Sequence, residues 1–195
     1  MLEHPKNQLL TWKYHINQIF SLMEGYKPAI QPLIQNKTVL DWGCHIGTRS
    51  YVLNQWGAKH VYCWDPFTLC EANFKRHFQS NTLTWVDNFV APFPVDVLYL
   101  SNIHNVVGKN PFLWFNTLLK SISCDTVLAT WEHDLSEIKE EVFTDFRLGH
   151  LWFSTEGYNY YSGDEVYKSD DYKIATSNKT NWRGSPLNLI ILNRI

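Results

Sequence analysis

A chain of 195 residues, 45% hydrophobic and with a formal net charge of −2, is long enough for one domain with a sizeable core and lacks the basic excess of a large nucleic-acid footprint. Its four cysteines, Cys44, Cys63, Cys70 and Cys124, show no CxxC spacing, which argues against a zinc site or a disulfide scaffold. The opening MLEHPKNQ is too polar for a signal peptide and no run of about 18 apolar residues is present to span a membrane, so the expectation is a soluble, cytoplasmic protein.

In chain order, Leu9, Trp12, Ile16, Ile19, Phe20 and Met23 recur at helical intervals and predict a covering helix over Gln8 to Met23. Thr38 to Leu40 reads as a strand buried on both faces, and Gly43 and Gly47 punctuate its exit. A helix follows from Thr48 to Trp56, closed by Gly57, and then a strand from His60 to Trp64 with Asp65 at its carboxyl end. Residues 67–79 are helical in pattern. Thr82 to Val86 is a third strand, ending at Asp87 and Asn88, a pair that also makes an ordinary turn. Lys75, Arg76 and His77 are the nearest approach to a basic patch, on a helix whose charged face is more simply solvated.

Val95 to Leu100 is a strong fourth strand, followed by Ser101, Asn102, Ile103 and His104. Pro111 to Ile122 is an amphipathic helix with proline in its first turn, where the missing donor costs nothing. Thr126 to Thr130 is a fifth strand, ending in Trp131, Glu132, His133 and Asp134, and residues 136–146 form the next helix. The last third alternates strand signals with turns: Leu148 to Ser154, Tyr158 to Tyr161, Tyr172 to Thr176 and Leu187 to Leu192. The stretch from Lys168 to Ser185 is its most polar, loop-like part. Strands alternating with helices predict an α/β domain with a mainly parallel sheet, and no repeat or linker divides it.

Ligands of such sheets bind outside the carboxyl ends of the strands, and an acid there can accept hydrogen bonds from a ribose diol. Asp65 is that acid, following Gly43 by about 20 residues, the separation one strand, one helix and one more strand require. A dinucleotide would call for GxGxxG, whereas the pattern here is GxxxG with His45 at the middle position. No GxxxxGK[ST] phosphate loop occurs, and no YxxxK pair of the short-chain dehydrogenases, so an NAD(P) reductase is disfavoured.

VLDWGCHIG followed by GAKHVYCWDP resembles motif I and the next acidic strand of the class I methyltransferases that use S-adenosylmethionine (SAM). Asp41, Gly43 and Gly47 match that pattern and His45 departs from its second glycine. A non-glycine there resembles FkbM-like members, and GAxxVxxxDP resembles the tRNA wobble-uridine carboxymethyl and methoxy branch. The resemblance is specific over Thr38 to Asp65 and topological beyond.

It implies a single Rossmann-like domain over 1–195, with an N-terminal covering helix and linker in 1–36 and the core in 37–195. The core would be a mainly parallel seven-stranded sheet with a C-terminal antiparallel hairpin and helices on both faces. It also implies SAM as cofactor, with no metal. Backbone amides around Gly43, Cys44, His45 and Gly47 would lie against the methionine moiety, Asp41 would reach its ammonium, Asp65 the ribose and Phe67 the adenine. Asp87 or Asn88 would pair with the adenine amine, and Ser101 would border the cofactor.

Each of these also has an ordinary structural reading: the glycines turn the chain, Asp41 caps a loop, Asp65 N-caps the next helix and Phe67 packs in the core. Their joint order and spacing favour cofactor binding. The segment after the fourth strand faces the transferable methyl in the family, which makes Asn102 and His104, with Glu132 and His133 from the next strand end, the candidates for acceptor chemistry. Tyr14 and His15 on the leading helix are weaker ones.

The implied activity is methyl transfer from SAM to a small-molecule acceptor, suited by a composition of 15% aromatic and only 18% charged residues, against about 25% charged in typical domains. Two alternatives stand beside it: a SAM-binding protein that acts through partners without catalysis, and an RNA (tRNA) methyltransferase. The residues SNIH stand where DNA amino-methyltransferases carry NPPY or DPPY, which argues against that substrate.

Overall fold

The computed structural model describes residues 12–87, 92–101, 118–131, 152–153, 159–162, 165–168, 172–182 and 185–194. The chain separates into two compact units, one made of Met1–Phe89 with Val95–Ser101 and the other of Val90–Pro94 with Asn102–Ile195.

In the first unit α1 (Trp12–Ile34) leads to β1 (Thr38–Trp42), α2 (Thr48–Gln55), β2 (His60–Trp64), α3 (Thr68–His77) and β3 (Leu83–Trp85). The two-residue β4 (Phe93–Pro94) belongs to the second unit, and β5 (Val97–Ser101) returns to the first. The strands stand in the order β5-β1-β2-β3 with every pairing parallel. β1 and β5 read VLDW and VLYL because both are buried along almost their whole length, as strands covered on two faces must be.

Register decides which residues share a face. Val39 lies beside Val61 and Val97, and Asp41 beside Cys63 and Tyr99. All three helices meet this face: Tyr99 reaches the Met23 sulfur on α1 at 3.6 Å, Asp41 meets Ser50 on α2, and the Trp85 ring lies 5.6 Å from that of Phe74 on α3. Leu40, Trp42, Tyr62 and Trp64 alternate to the opposite face, where the Trp42 and Trp64 rings meet at 4.8 Å, tilted by 35°. The helix expected over residues 136–146 and most of that over 111–122 lie outside the described residues; residues 118–121 are helical.

α1 departs from its expected end at Met23 and continues to Ile34 through Pro28 and Pro32. Each proline removes one intrahelical donor. The stripe Ile19, Met23, Tyr26, Ile30 and Ile34 runs unbroken, each residue 4% exposed or less, and that burial outweighs the two lost bonds. Asn36, at φ 58°, then ends the helix and donates its N–H to the Gly57 carbonyl at 2.9 Å, fastening the close of α1 to the close of α2.

In the second unit β6 (Ile122–Ser123) pairs parallel with β4, and β7 (Thr126–Trp131), β12 (Ser185–Arg194) and β11 (Tyr172–Trp182) form an antiparallel ladder in that order. β11 and β12 are the expected C-terminal hairpin, but β11 occupies much of the stretch expected as polar loops. Its backbone pairs with β12 from end to end apart from one bulge between Ile174 and Thr176, so partner strand, not side-chain hydrophobicity, determines its state. A separate antiparallel sheet of β8 (Trp152–Phe153), β9 (Asn159–Ser162) and β10 (Glu165–Lys168) includes one strand, β10, that the sequence pattern did not announce.

Candidate functional site

The carboxyl edge of the parallel sheet in the first unit collects most of the expected cofactor residues. β1, β2 and β5 end level with one another, since Trp42 pairs with Trp64 and with Leu100. Beyond those ends come the turn Gly43, Cys44, His45 and Ile46, the acid Asp65, and Ser101. The Gly43 and Cys44 amides both donate to the Trp64 carbonyl, at 2.8 and 3.0 Å, so the turn grows directly out of the ladder.

Three residues of this turn take the left-handed backbone: Gly43 at φ 79°, His45 at 54° and Gly47 at 88°. Gly47 is obligatory on a second count, because a Cβ there would run into the Phe74 ring of α3. His45 holds a conformation that an L side chain rarely adopts, at the position where the resembled motif carries glycine.

Asp65, just past the end of β2, is only 9% exposed. Its Oδ2 accepts the His45 N–H at 2.8 Å and its Oδ1 accepts the Phe67 N–H at 3.0 Å. It does not N-cap α3: Phe67 occupies the cap position, and Asp65 closes the turn before it. The Cys70 thiol on α3 adds a hydrogen bond to Asp65 and is pushed up by burial first and by the Asp65 charge second.

Asp41 is 1% exposed and faces α2, where the Ser50 hydroxyl donates to its Oδ2 at 2.5 Å. Burial raises its carboxyl to about 7, and the Asp65 charge adds to that; the Ser50 hydrogen bond and the Arg49 charge pull the other way. Asp41 is therefore a carboxyl balanced between its two forms near neutrality. Cys44 lies among the same groups: burial, the Cys63 thiol beside it and the charges of Asp41 and Asp65 all raise its thiol. None of the four cysteines forms a disulfide, and among the described residues no cluster of histidine, cysteine or carboxylate could hold a metal.

Two buried hydroxyls at this edge have no hydrogen-bond partner among the described residues: Oγ1 of Thr48, the first residue of α2, and Oγ of Ser101, the last of β5. Thr48 and Ser50 were not singled out from sequence; a hydroxyl on each side of Arg49 at a helix start was the available signal. Phe67 is half-buried, and Asp87 is exposed past the end of β3. Asn88, Asn102, His104, Glu132 and His133 lie outside the described residues, as do the side chains of Tyr14 and His15. No described helix is long and apolar enough to cross a membrane.

No family model and no curated protein matches the chain, so the finer likeness to the FkbM-like and tRNA wobble-uridine branches rests on the motif alone. Solved structures do match. A proposed SAM-dependent methyltransferase from Listeria monocytogenes superposes with a TM-score of 0.60 at 13% identity, over 91% of this chain and 99% of that one. Magnesium protoporphyrin IX methyltransferase from Synechocystis PCC 6803, crystallised with bound SAH, gives 0.56 at 15% identity over 100% and 90%. A proposed RNA methyltransferase from Pyrococcus horikoshii gives 0.55 at 15% identity over 92% and 85%. The fold of this chain is that of the class I, Rossmann-like methyltransferases.

Proposed function

We propose that this chain is a single-domain SAM-dependent methyltransferase acting on a small-molecule acceptor. One observation carries the reading: the carboxyl edge of the parallel sheet combines a left-handed turn, two buried acids and two buried hydroxyls without a partner among the described residues, and the sequence lacks any phosphate-binding lysine motif. That donor and acceptor set fits a ligand bearing an ammonium, a carboxylate, a ribose diol and a positive sulfonium, and no phosphate. When bound, SAM supplies a methyl group on a sulfonium that is already a good leaving group.

The chain's residues then have the work of holding and orienting. Asp41 would face the ammonium, the turn with its acid Asp65 the ribose side, Phe67 the adenine ring, and Asp87 or Asn88 the adenine amine. Holding two reactants in near-attack geometry supplies on the order of 7 to 11 kcal/mol, so alignment is the main catalytic contribution. His104 and Asn102 follow β5 directly in the chain, and Glu132 and His133 follow β7. A histidine among them acting as base would add about 10²- to 10⁴-fold for an acceptor that must lose its proton.

Transfer of labelled methyl from SAM, screened over small aromatic acceptors and bulk tRNA at rising salt, tests this. Label in a small molecule with little salt dependence is the expected result. Label in RNA, falling steeply with salt as released counterions demand, would replace the acceptor class with RNA. Label in neither, with SAM binding intact, would make the chain a SAM-binding protein without catalysis.

A further inference from the structure

Three facts about one turn belong together. His45 stands at φ 54° where the resembled motif has glycine; its amide is held by Asp65 Oδ2 at 2.8 Å; and the other oxygen of the same carboxylate holds the Phe67 amide at 3.0 Å. A side chain in the left-handed region costs about 1 to 2 kcal/mol relative to the ordinary backbone, so something in the fold must keep His45 there. A buried carboxylate accepting an amide is among the stronger hydrogen bonds available for that. Glycine, which adopts positive φ readily, would hold the turn with no such tether.

We propose that Asp65 is a positioning residue: it contributes to cofactor binding through His45, by holding the β1–α2 turn in its left-handed shape, more than by direct contact with ribose. The inference rests on the SAM reading above and refines it. Both carboxylate oxygens already accept a backbone N–H, one from the turn after β1 and one from the turn after β2, so the acid stitches together the two loops that flank the expected ribose position. The Cys70 thiol is a third donor to the same group, from α3. His45 and Asp65 thereby form one coupled pair, with the non-glycine at the turn and the buried acid that holds it depending on each other.

A four-member cycle of wild type, His45→Gly, Asp65→Ala and the double variant decides it, read twice on the full chain: by calorimetric SAM affinity and by thermal midpoint without ligand. If Asp65 acts through His45, the affinity lost in Asp65→Ala is about tenfold smaller in the His45→Gly background, a coupling within the range of contacting residues. Equal losses in both backgrounds overturn the proposal and leave Asp65 as a direct ribose contact. Should Asp65→Ala not fold, Asp65→Asn takes its place, since the amide keeps one acceptor oxygen for one of the two N–H groups. Wild type that binds no SAM would overturn the cofactor reading and the cofactor half of this inference, whereas additive thermal midpoints would separately overturn the tether itself.

Discussion

The two edges of the parallel sheet in the first unit each carry aspartates bonded to backbone or hydroxyl, and they are opposite in electrostatic character. At the amino edge Asp96 accepts the Thr38 N–H at 2.7 Å and the Thr38 hydroxyl at 2.8 Å, remains partly exposed, and has Lys37 and Lys59 nearby. The Thr38 hydrogen bonds first, and the lysine charges after them, hold its carboxyl below the usual range. At the carboxyl edge Asp41 is buried against Ser50 and pushed up to about 7. One edge is a finished structural joint, satisfied by its own chain. The other keeps acid where burial makes ionisation unfavourable, the condition expected of a binding edge.

The contrast is sharpest in its pH dependence. Asp41 has a folded pKa above its unfolded value, so its contribution to stability is complete below about pH 4 and is lost as pH rises to about 7. Asp96 has a depressed folded pKa, so its contribution is present above the unfolded value and is lost as pH falls. Asp41→Asn, which mimics the protonated acid and keeps an acceptor for Ser50, should match wild type near pH 4 and exceed it above pH 7, by on the order of 4 kcal/mol at full effect. Denaturant melts of both proteins from pH 4 to 8 check this, and parallel curves would remove the electrostatic half of the comparison.

Gly47→Ala should lose about 3 kcal/mol, adding left-handed strain to a clash with the Phe74 ring. An unchanged denaturation midpoint would mean that the turn is far more pliant than a binding edge should be. Ser50→Ala leaves the Asp41 carboxyl buried without its donor and should lose about 2 kcal/mol at pH 8 and less at pH 5, where the acid is mostly neutral. Thr38→Ala, at the finished edge, should cost about 1 kcal/mol and leave SAM affinity unchanged, which a melt and a titration on the same sample would show.

Much of the first unit was legible because its signals are local. β2 falls on its expected residues, His60–Trp64, and α2 begins at Thr48 where the glycine turn releases the chain. α1 runs past its expected end at Met23 and through Pro28 and Pro32, which are local stop signals, because the buried stripe that carries the helix past them is a tertiary fact. β11, polar throughout its middle, is a strand because β12 pairs with it, and no property of Thr176 to Asn181 states that.

The candidate site divides in the same way. Asp41, Gly43, Gly47 and Asp65 were singled out by type and spacing, and the structure brings them to one sheet edge. The burial of Asp65, the left-handed backbone of His45 and the hydrogen bond joining them depend on two turns some 20 residues apart meeting at one sheet edge, which residue patterns alone do not specify.

Calorimetric titration of the purified chain with SAM, and with NAD in a parallel run, tests the cofactor assignment most directly. Saturable binding of SAM and none of NAD is the predicted result. Binding of NAD, or no binding of SAM by a folded sample, would contradict it and return the carboxyl edge to a purely structural role or to a different ligand.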